Sequence, residues 1–460
     1  MTSLVDPQGV LTAGLIQIRQ QFSVPAGFAP EVVAAAEAAA QRAPSEHTDR
    51  TSVPFVTLDP STSTDLDQAL WVEPAGSALL LHYAIADVAW FVRDGDIVDT
   101  EAWRRGTTLY LPDGKAGLYP PVLAEGAASL LPDGPRPAIV FTVRIDGSGS
   151  ATLDGVERSL IRSRAKLAYD TVTDQQLPAQ FGELARRVEA AAAARGASNI
   201  EPVEQQVESV PGGYALVFRP RLESEAANAA MSLSTNLAVG AALQAARTGL
   251  FRVMDEPDAR AVKRLRFEAR ALGIDWPPVQ PLGDLEKTLD GANPKHAAFL
   301  MGVRRAGGGA RYVPYKDGVT PWHAAMSATY SHATAPLRRL ADRYVVQAAL
   351  AVANGRIVPD AVSAAFLRLP EVMEKADTIG SRIERAVIDL AEAVMLQDRI
   401  GQTFAAVVTD DDERGARIQL CDEPVIARVA ANGVQAGDEV RVKLRSVDVA
   451  QRTLQFERVA

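Results

Sequence analysis

The chain has 460 residues, of which 47% are hydrophobic and 23% charged, and a formal net charge of −9. Its length and apolar content allow about two to four domains with sizeable cores, and no apolar run reaches the length of a membrane span. The acidic balance excludes a generally basic exterior, though not a channel with local positive charge. The single cysteine, Cys421, excludes an internal disulfide and a cysteine-based zinc site.

Residues 1–48 carry two helical patterns, Thr12 to Phe22 and Pro30 to Arg42, joined by S-V-P-A-G. A helix-turn-helix and a plain helical brace both fit this segment, and the brace is the favoured reading. The opening M-T-S-L-V-D-P lacks the basic and apolar stretches of a secretory signal. A cytoplasmic setting without membrane contact is expected.

From about residue 49, strand patterns alternate with turns. Val56 to Leu70 reads V-T-L-D-P-S-T-S-T-D-L-D-Q-A-L, an apolar strand that delivers Asp59, Asp65 and Asp67 into one short loop. Positions i and i+2 of an extended segment point the same way, so Asp65 and Asp67 are expected to converge, with Asp59 facing them. Three like charges repel unless a divalent cation sits among them. Hard oxygen ligands at loose spacing suit Mg²⁺ or Mn²⁺ rather than zinc. The plainer alternative is a surface turn, since Asp, Ser, Thr and Pro all form turns. Further strands are expected at L-L-L-H-Y-A-I-A and A-I-V-F-T-V-R-I, after which the region reads as helical, with Ala190 to Arg195 and Ala226 to Arg247. Basic clusters at Lys263, Arg264 and Arg266 and at Arg304, Arg305 and Arg311 read as solvated faces.

Residues 330–344 read Y-S-H-A-T-A-P-L-R-R-L-A-D-R-Y. Pro336 disfavours helix just before it, so a helix is expected to start there, with Thr334 as one candidate cap. Arg338 and Arg339 would then fall in the first turn, with Asp342 and Arg343 about one turn further on. A helix N-terminus beside guanidinium forks makes an anion site suited to phosphate; a solvated basic helix start is the alternative. From about Asp398 the pattern changes to five short β segments with turns at 410–415, 432–433 and 437–438, the count of an OB barrel. Phe404 and Phe456 are its only aromatics, and both fit a core.

Together these stretches resemble the catalytic (RNB) domain of the ribonuclease II / ribonuclease R exoribonuclease family. The family's T-I-D-x(5)-D-x-D-D-A is similar to Thr57-Leu58-Asp59, Asp65, Asp67 and Ala69. Its Y-x-H-x-T-S-P-x-R-R-Y-x-D is similar to Tyr330, His332, Thr334, Pro336, Arg338, Arg339 and Asp342. Between them, L-H-Y-A-I-A-D-V-A-W-F-V from Leu81 and R-R-G-T-T-L-Y-L-P-D from Arg104 resemble two further family blocks. The resemblance implies an α+β chain in three parts. These are a helical segment over 1–48 where the family has cold-shock barrels, an RNB catalytic domain over 49–398, and an OB-type RNA-binding barrel over 399–460. The catalytic domain would be a mixed sheet surrounded by helices.

The implied activity is processive 3′→5′ hydrolysis of single-stranded RNA to nucleoside 5′-monophosphates and a short end product, by a monomer with Mg²⁺, or Mn²⁺, as cofactor. On this resemblance Asp65, Asp67 and Arg338 would be catalytic. Asp59, Asp65, Asp67 and Gln68 would hold the metal, and Tyr110 would stack on a base near the 3′ end. Tyr330, Thr334 and Arg339 would line the RNA cavity, with Asn228 near the terminal ribose. Gln68 stands where the family has a fourth aspartate, so a catalytically degenerate RNA-binding protein is the main alternative. A nuclease acting on DNA or small nucleotides is the second.

Overall fold

The strands Gln68–Ala75, Ala78–Ala86, Arg136–Ile145 and Ala151–Ile161, the middle two of them near-continuous apolar runs, build an antiparallel sheet, flanked at one edge by Thr48–Asp49 running parallel to Ala151–Ile161. Its first hairpin turns at Gly76, whose φ of 65° is left-handed backbone that glycine adopts without strain. The computed structural model describes residues 2–5, 9–197, 204–210, 213–219, 221–286, 288–289, 293–412, 415–430, 433–435 and 437–459. One face of the sheet packs on two helices, Glu223–Ala245 and Leu340–Ala353. Tyr83, Ile85, Phe141, Val143, Met231 and Val345 all enter this largest core. The fold is α+β.

The strand Thr57–Asp59 stands outside that sheet. It pairs in parallel with Lys166–Ala168, with Asp59 opposite Ala168 at the end of the ladder. The later region, expected to be helical, contains two further sheets. Glu204–Val210 and Gly213–Arg219 form a hairpin, and Thr2–Val5 adds a third strand to it. Leu250–Met254 pairs with Ala310–Pro314 and, through one bridge, with Trp322–His323. Most of these strands are five residues or shorter, too short for their alternation to stand out from the flanking helical patterns.

Two N-terminal helices form where the sequence indicates, at Val10–Gln21 and Pro30–Ala40. They pack on different partners. Leu11, Leu15 and Ile18 meet Ile383, Val387 and Leu390 of the long helix Asp360–Leu396. Val32, Ala36 and Ala39 enter the main core. The long helix runs 37 residues and carries Pro370 inside it.

Five strands at the C-terminus, Thr403–Asp412, Gly415–Leu420, Ile426–Ala430, Glu439–Asp448 and Thr453–Val459, close into a barrel. Phe404 and Phe456 lie in its core, edge to face at 6.1 Å between centroids. The side chains of Arg304 and Arg305 and the turn residues 413–414 and 431–432 lie outside the described residues. Among the described residues no helix is long and apolar enough to cross a membrane.

Candidate active site

Two loops distant in sequence meet behind the first hairpin, and Asp67 is where they touch. The Leu337 N–H donates to Asp67 Oδ1 at 2.7 Å, and Arg338 Nε stands 3.5 Å from Asp67 Oδ2. Asp67 is 5% exposed. Burial pushes its carboxyl up to about 8, opposed by Arg338 and the Leu337 N–H and reinforced by Asp342 and Asp65. Asp59 is pushed up to about 6, again chiefly by burial. Its Oδ2 is buried without a hydrogen-bond partner. Both carboxylates lie in the field of the same Arg338.

Asp65 raises both carboxyls by its charge, but its own oxygens are taken by donors from another element. Lys115 Nζ donates to Asp65 Oδ1 at 2.7 Å and the Tyr110 hydroxyl donates to Oδ2 at 3.0 Å. Both donors come from the small hairpin Leu109–Leu111 and Gly114–Ala116. The reason is local. Residues 60–67 form a turn and irregular chain rather than a strand, so the two-residue period begins only at Gln68. Among the described residues no three Asp, Glu, His or Cys side chains stand close enough to hold an ion by themselves. A cation here would rest on Asp59 and Asp67, with water and a ligand phosphate completing its shell. That is the usual manner of Mg²⁺, and the orphaned Asp59 oxygen fits it.

Gln68 is tied to the protein at both ends of its amide. Its Nε2 donates to the Thr334 carbonyl at 2.7 Å, and its Oε1 accepts from the Tyr83 and Ser232 hydroxyls. Asn228 donates to the Leu58 carbonyl at 3.2 Å and the Tyr169 hydroxyl at 2.9 Å. Tyr330 and Thr334 each accept from Asn236 Nδ2, and Asn236 Oδ1 accepts the Ala333 N–H. Gly240 lets this loop lie close: a Cβ there would come within 3.2 Å of the Ser331 nitrogen and the Thr329 oxygen. His332 is half-buried against the Tyr312 hydroxyl at 2.7 Å, and desolvation holds its imidazole well below the usual value and so neutral.

The expected helix start at Pro336 is corrected by the structure: the helix begins at Leu340, with Arg339 at the cap position. Asp342 Oδ2 accepts the Ala335 N–H at 2.8 Å, and the Arg338 carbonyl accepts from Thr107 and Thr108. These bonds hold 335–339 as a turn. Arg339 is spent on a fork to Asp342, at 2.9 and 2.7 Å. Arg343 turns inward and is 1% exposed, bonded to Asp99 and Tyr344. Of these three arginines it is Arg338, with its side chain 47% exposed, that remains for an anion.

A cavity of about 1240 Å³ opens over this arrangement, lined in part by Gln68, Asn228, Tyr330, Thr334, Arg338 and Arg339. Sequence reasoning missed Lys115, Tyr169 and Asn236. For Asn236 a signal existed: Asn228, Ser232, Thr235 and Asn236 follow i, i+4, i+7, i+8 spacing, a polar stripe on an alanine-rich helix.

Residues 47–353 match the family described as RNB domain, and residues 402–459 match the RNase II-type exonuclease C-terminal S1 domain. Ribonuclease R of Aquifex aeolicus is 25% identical over 494 residues, covering 96% of this chain and 69% of that protein. Ribonuclease R of Escherichia coli is 23% identical over 499 residues, covering 95% and 60%. The chain thus spans about two thirds or less of these relatives' length. The apo form of Mycoplasma genitalium RNase R superposes with a TM-score of 0.86 at 18% identity, covering 100% of this chain and 79% of that one. Yeast Ssd1, a pseudonuclease, superposes at 0.70 with 15% identity, covering 96% and 57%. At such identities the structural likeness speaks for the fold alone.

Proposed function

Because the chain belongs to the RNB domain family, matched over residues 47–353, we propose that it is a metal-dependent 3′→5′ exoribonuclease. Its substrate is single-stranded RNA, and it releases nucleoside 5′-monophosphates and a short end product, acting as a monomer. The observation that carries this reading is the contact of Asp67 with Leu337 and Arg338, which sets a buried carboxylate beside a half-exposed guanidinium on a cavity wall. Asp59 and Asp67 would hold the ion, Mg²⁺ or Mn²⁺, which when bound activates water and neutralises phosphate charge. Arg338 binds a non-bridging oxygen of the scissile phosphate and stabilises charge as it develops. Asp65 holds Tyr110 and Lys115 in place until a 3′-terminal base takes the tyrosine ring. Tyr330 and Thr334, fixed by Asn236, shape the floor, and Asn228 lies near the terminal ribose. Arg339 holds the turn through Asp342.

The test is a time course with a 5′-labelled single-stranded RNA, with Mg²⁺ and with EDTA, on a denaturing gel. Metal-dependent accumulation of one short labelled product is expected, and an all-deoxy strand of equal sequence should stay intact. Asp67→Asn should abolish cleavage while RNA binding is kept or tightened, because the change removes negative charge near phosphate. Equal cleavage by that variant would sink the assignment. A degenerate RNA-binding protein is the second reading, favoured by Gln68 and by the fold shared with a pseudonuclease. Intact RNA that shifts on a native gel would establish it.

A further inference from the structure

One helix beside the cavity carries charge that the proposed chemistry does not use. The helix Ala259–Ala271 is capped by Asp258, whose carboxylate accepts the Ala261 N–H at 2.7 Å. Leu265 and Ala269 bury its inner face in a small cluster with Trp276 and Phe299. Its one carboxylate, Glu268, faces the helix Pro294–Ala306, where a Cβ on Gly302 would come within 2.5 Å of Glu268 Oε1. Arg266 lies 4.1 Å from the Trp276 ring centroid and donates to carbonyls between Trp276 and Gln280. With Val262 it lines the same cavity as Arg338.

What remains points outward. Arg260, Lys263, Arg264, Phe267 and Arg270 are all exposed, Phe267 by 57%. At 100° per residue they fall within an arc of about 120°, and they extend about 15 Å along the axis. Among the described residues none of the four cations forms an ion pair. In a chain of net charge −9 this is a concentrated positive stripe, and it adjoins the cavity wall through Arg266. Phosphate-binding cations around an exposed aromatic ring are the composition of a single-strand platform. A merely solvated face would need neither the ring nor the continuity with the cavity.

We propose that this helix face binds the RNA strand upstream of the cavity, with phosphates on Arg260, Lys263, Arg264 and Arg270 and a base on Phe267. The inference rests on the nuclease reading of the cavity and extends it to the substrate outside. A variant with Arg260, Lys263, Arg264 and Arg270 all changed to Gln alters only exposed side chains. It is compared with the parent on an RNA of about 5 nucleotides and one of about 25, the first short enough to lie within the cavity. The KM for the long RNA is expected to rise tenfold or more at unchanged kcat, with the short RNA unaffected. In an Asp67→Asn background, the slope of log binding constant against log salt should fall by up to about 3, since each single-strand phosphate contributes about 0.7. An equal change for both lengths, or an unchanged salt slope, overturns the proposal. If the parent cleaves neither RNA, the nuclease reading fails, and the binding comparison on the long RNA still decides the platform.

Discussion

Gln68 ties three segments of the chain together at one side chain: Thr334 from the second loop, Tyr83 from the sheet and Ser232 from the helix Glu223–Ala245. A carboxylate could accept from the two hydroxyls but could not donate to the Thr334 carbonyl. Gln68→Glu should therefore press a negative charge against that carbonyl and cost roughly 1–3 kcal/mol, read as a lower urea midpoint. Cleavage at saturating RNA should fall more than affinity, because Arg338 follows Thr334 by four residues. A variant that melts and cleaves like the parent would remove this strut. At this scale the sequence was informative about reacting groups and silent about their supports. Aspartates and arginines in a dense motif advertise chemistry. The Gln68–Thr334 and Asp67–Leu337 bonds join residues 266 and 270 positions apart, and no local pattern encodes such a pairing.

Elements of regular period were legible: both N-terminal helices, two of the four long strands of the first sheet (Ala78–Ala86 and Arg136–Ile145) and all five barrel strands. The start of the helix after Pro336 was not, since it is set by tertiary bonds to Asp342, Thr107 and Thr108 rather than by proline. Once that helix begins at Leu340, Arg343 faces the core, and its guanidinium pairs with Asp99 of the helix Ile97–Arg105. Arg343→Met would strand the Asp99 charge away from water, at roughly 3–5 kcal/mol. The double variant with Asp99→Asn should recover part of that loss. Chemical denaturation of the two singles and the double measures it, and simple additivity would mean that the pair is not coupled.

The whole molecule meets at Glu392, a 3% exposed carboxylate on the long helix. Its Oε1 accepts from Gln205 Nε2 at 2.6 Å and from the Ile426 N–H at 2.9 Å, joining the hairpin Glu204–Val210 to the barrel. Burial raises it to about 7, held back by those two donors and by Arg385 and reinforced by Asp389. A raised carboxyl means that the folded state holds the proton more tightly. Its stability is therefore full below the ordinary value near 4.5 and is lost as pH rises through about 7. Glu392→Gln keeps the acceptor and drops the charge, so it should stabilise by about 1–3 kcal/mol at pH 8 and by little at pH 4. Parallel thermal melts at the two pH values check the sign.

The long helix Asp360–Leu396 also belongs to three apolar clusters in turn. Phe366, Leu369 and Met373 enter the main core, Ile383, Val387 and Leu390 pack on the N-terminal helix, and Leu396 sits in the barrel. A thermal fluctuation that loosens any one cluster must therefore fray a rod shared by the other two. Calorimetry should record a single endotherm, with calorimetric and van't Hoff enthalpies in agreement, and a protease should find no window in which the barrel is open while the rest is closed. Two sequence families lie along this chain; they should melt as one cooperative unit.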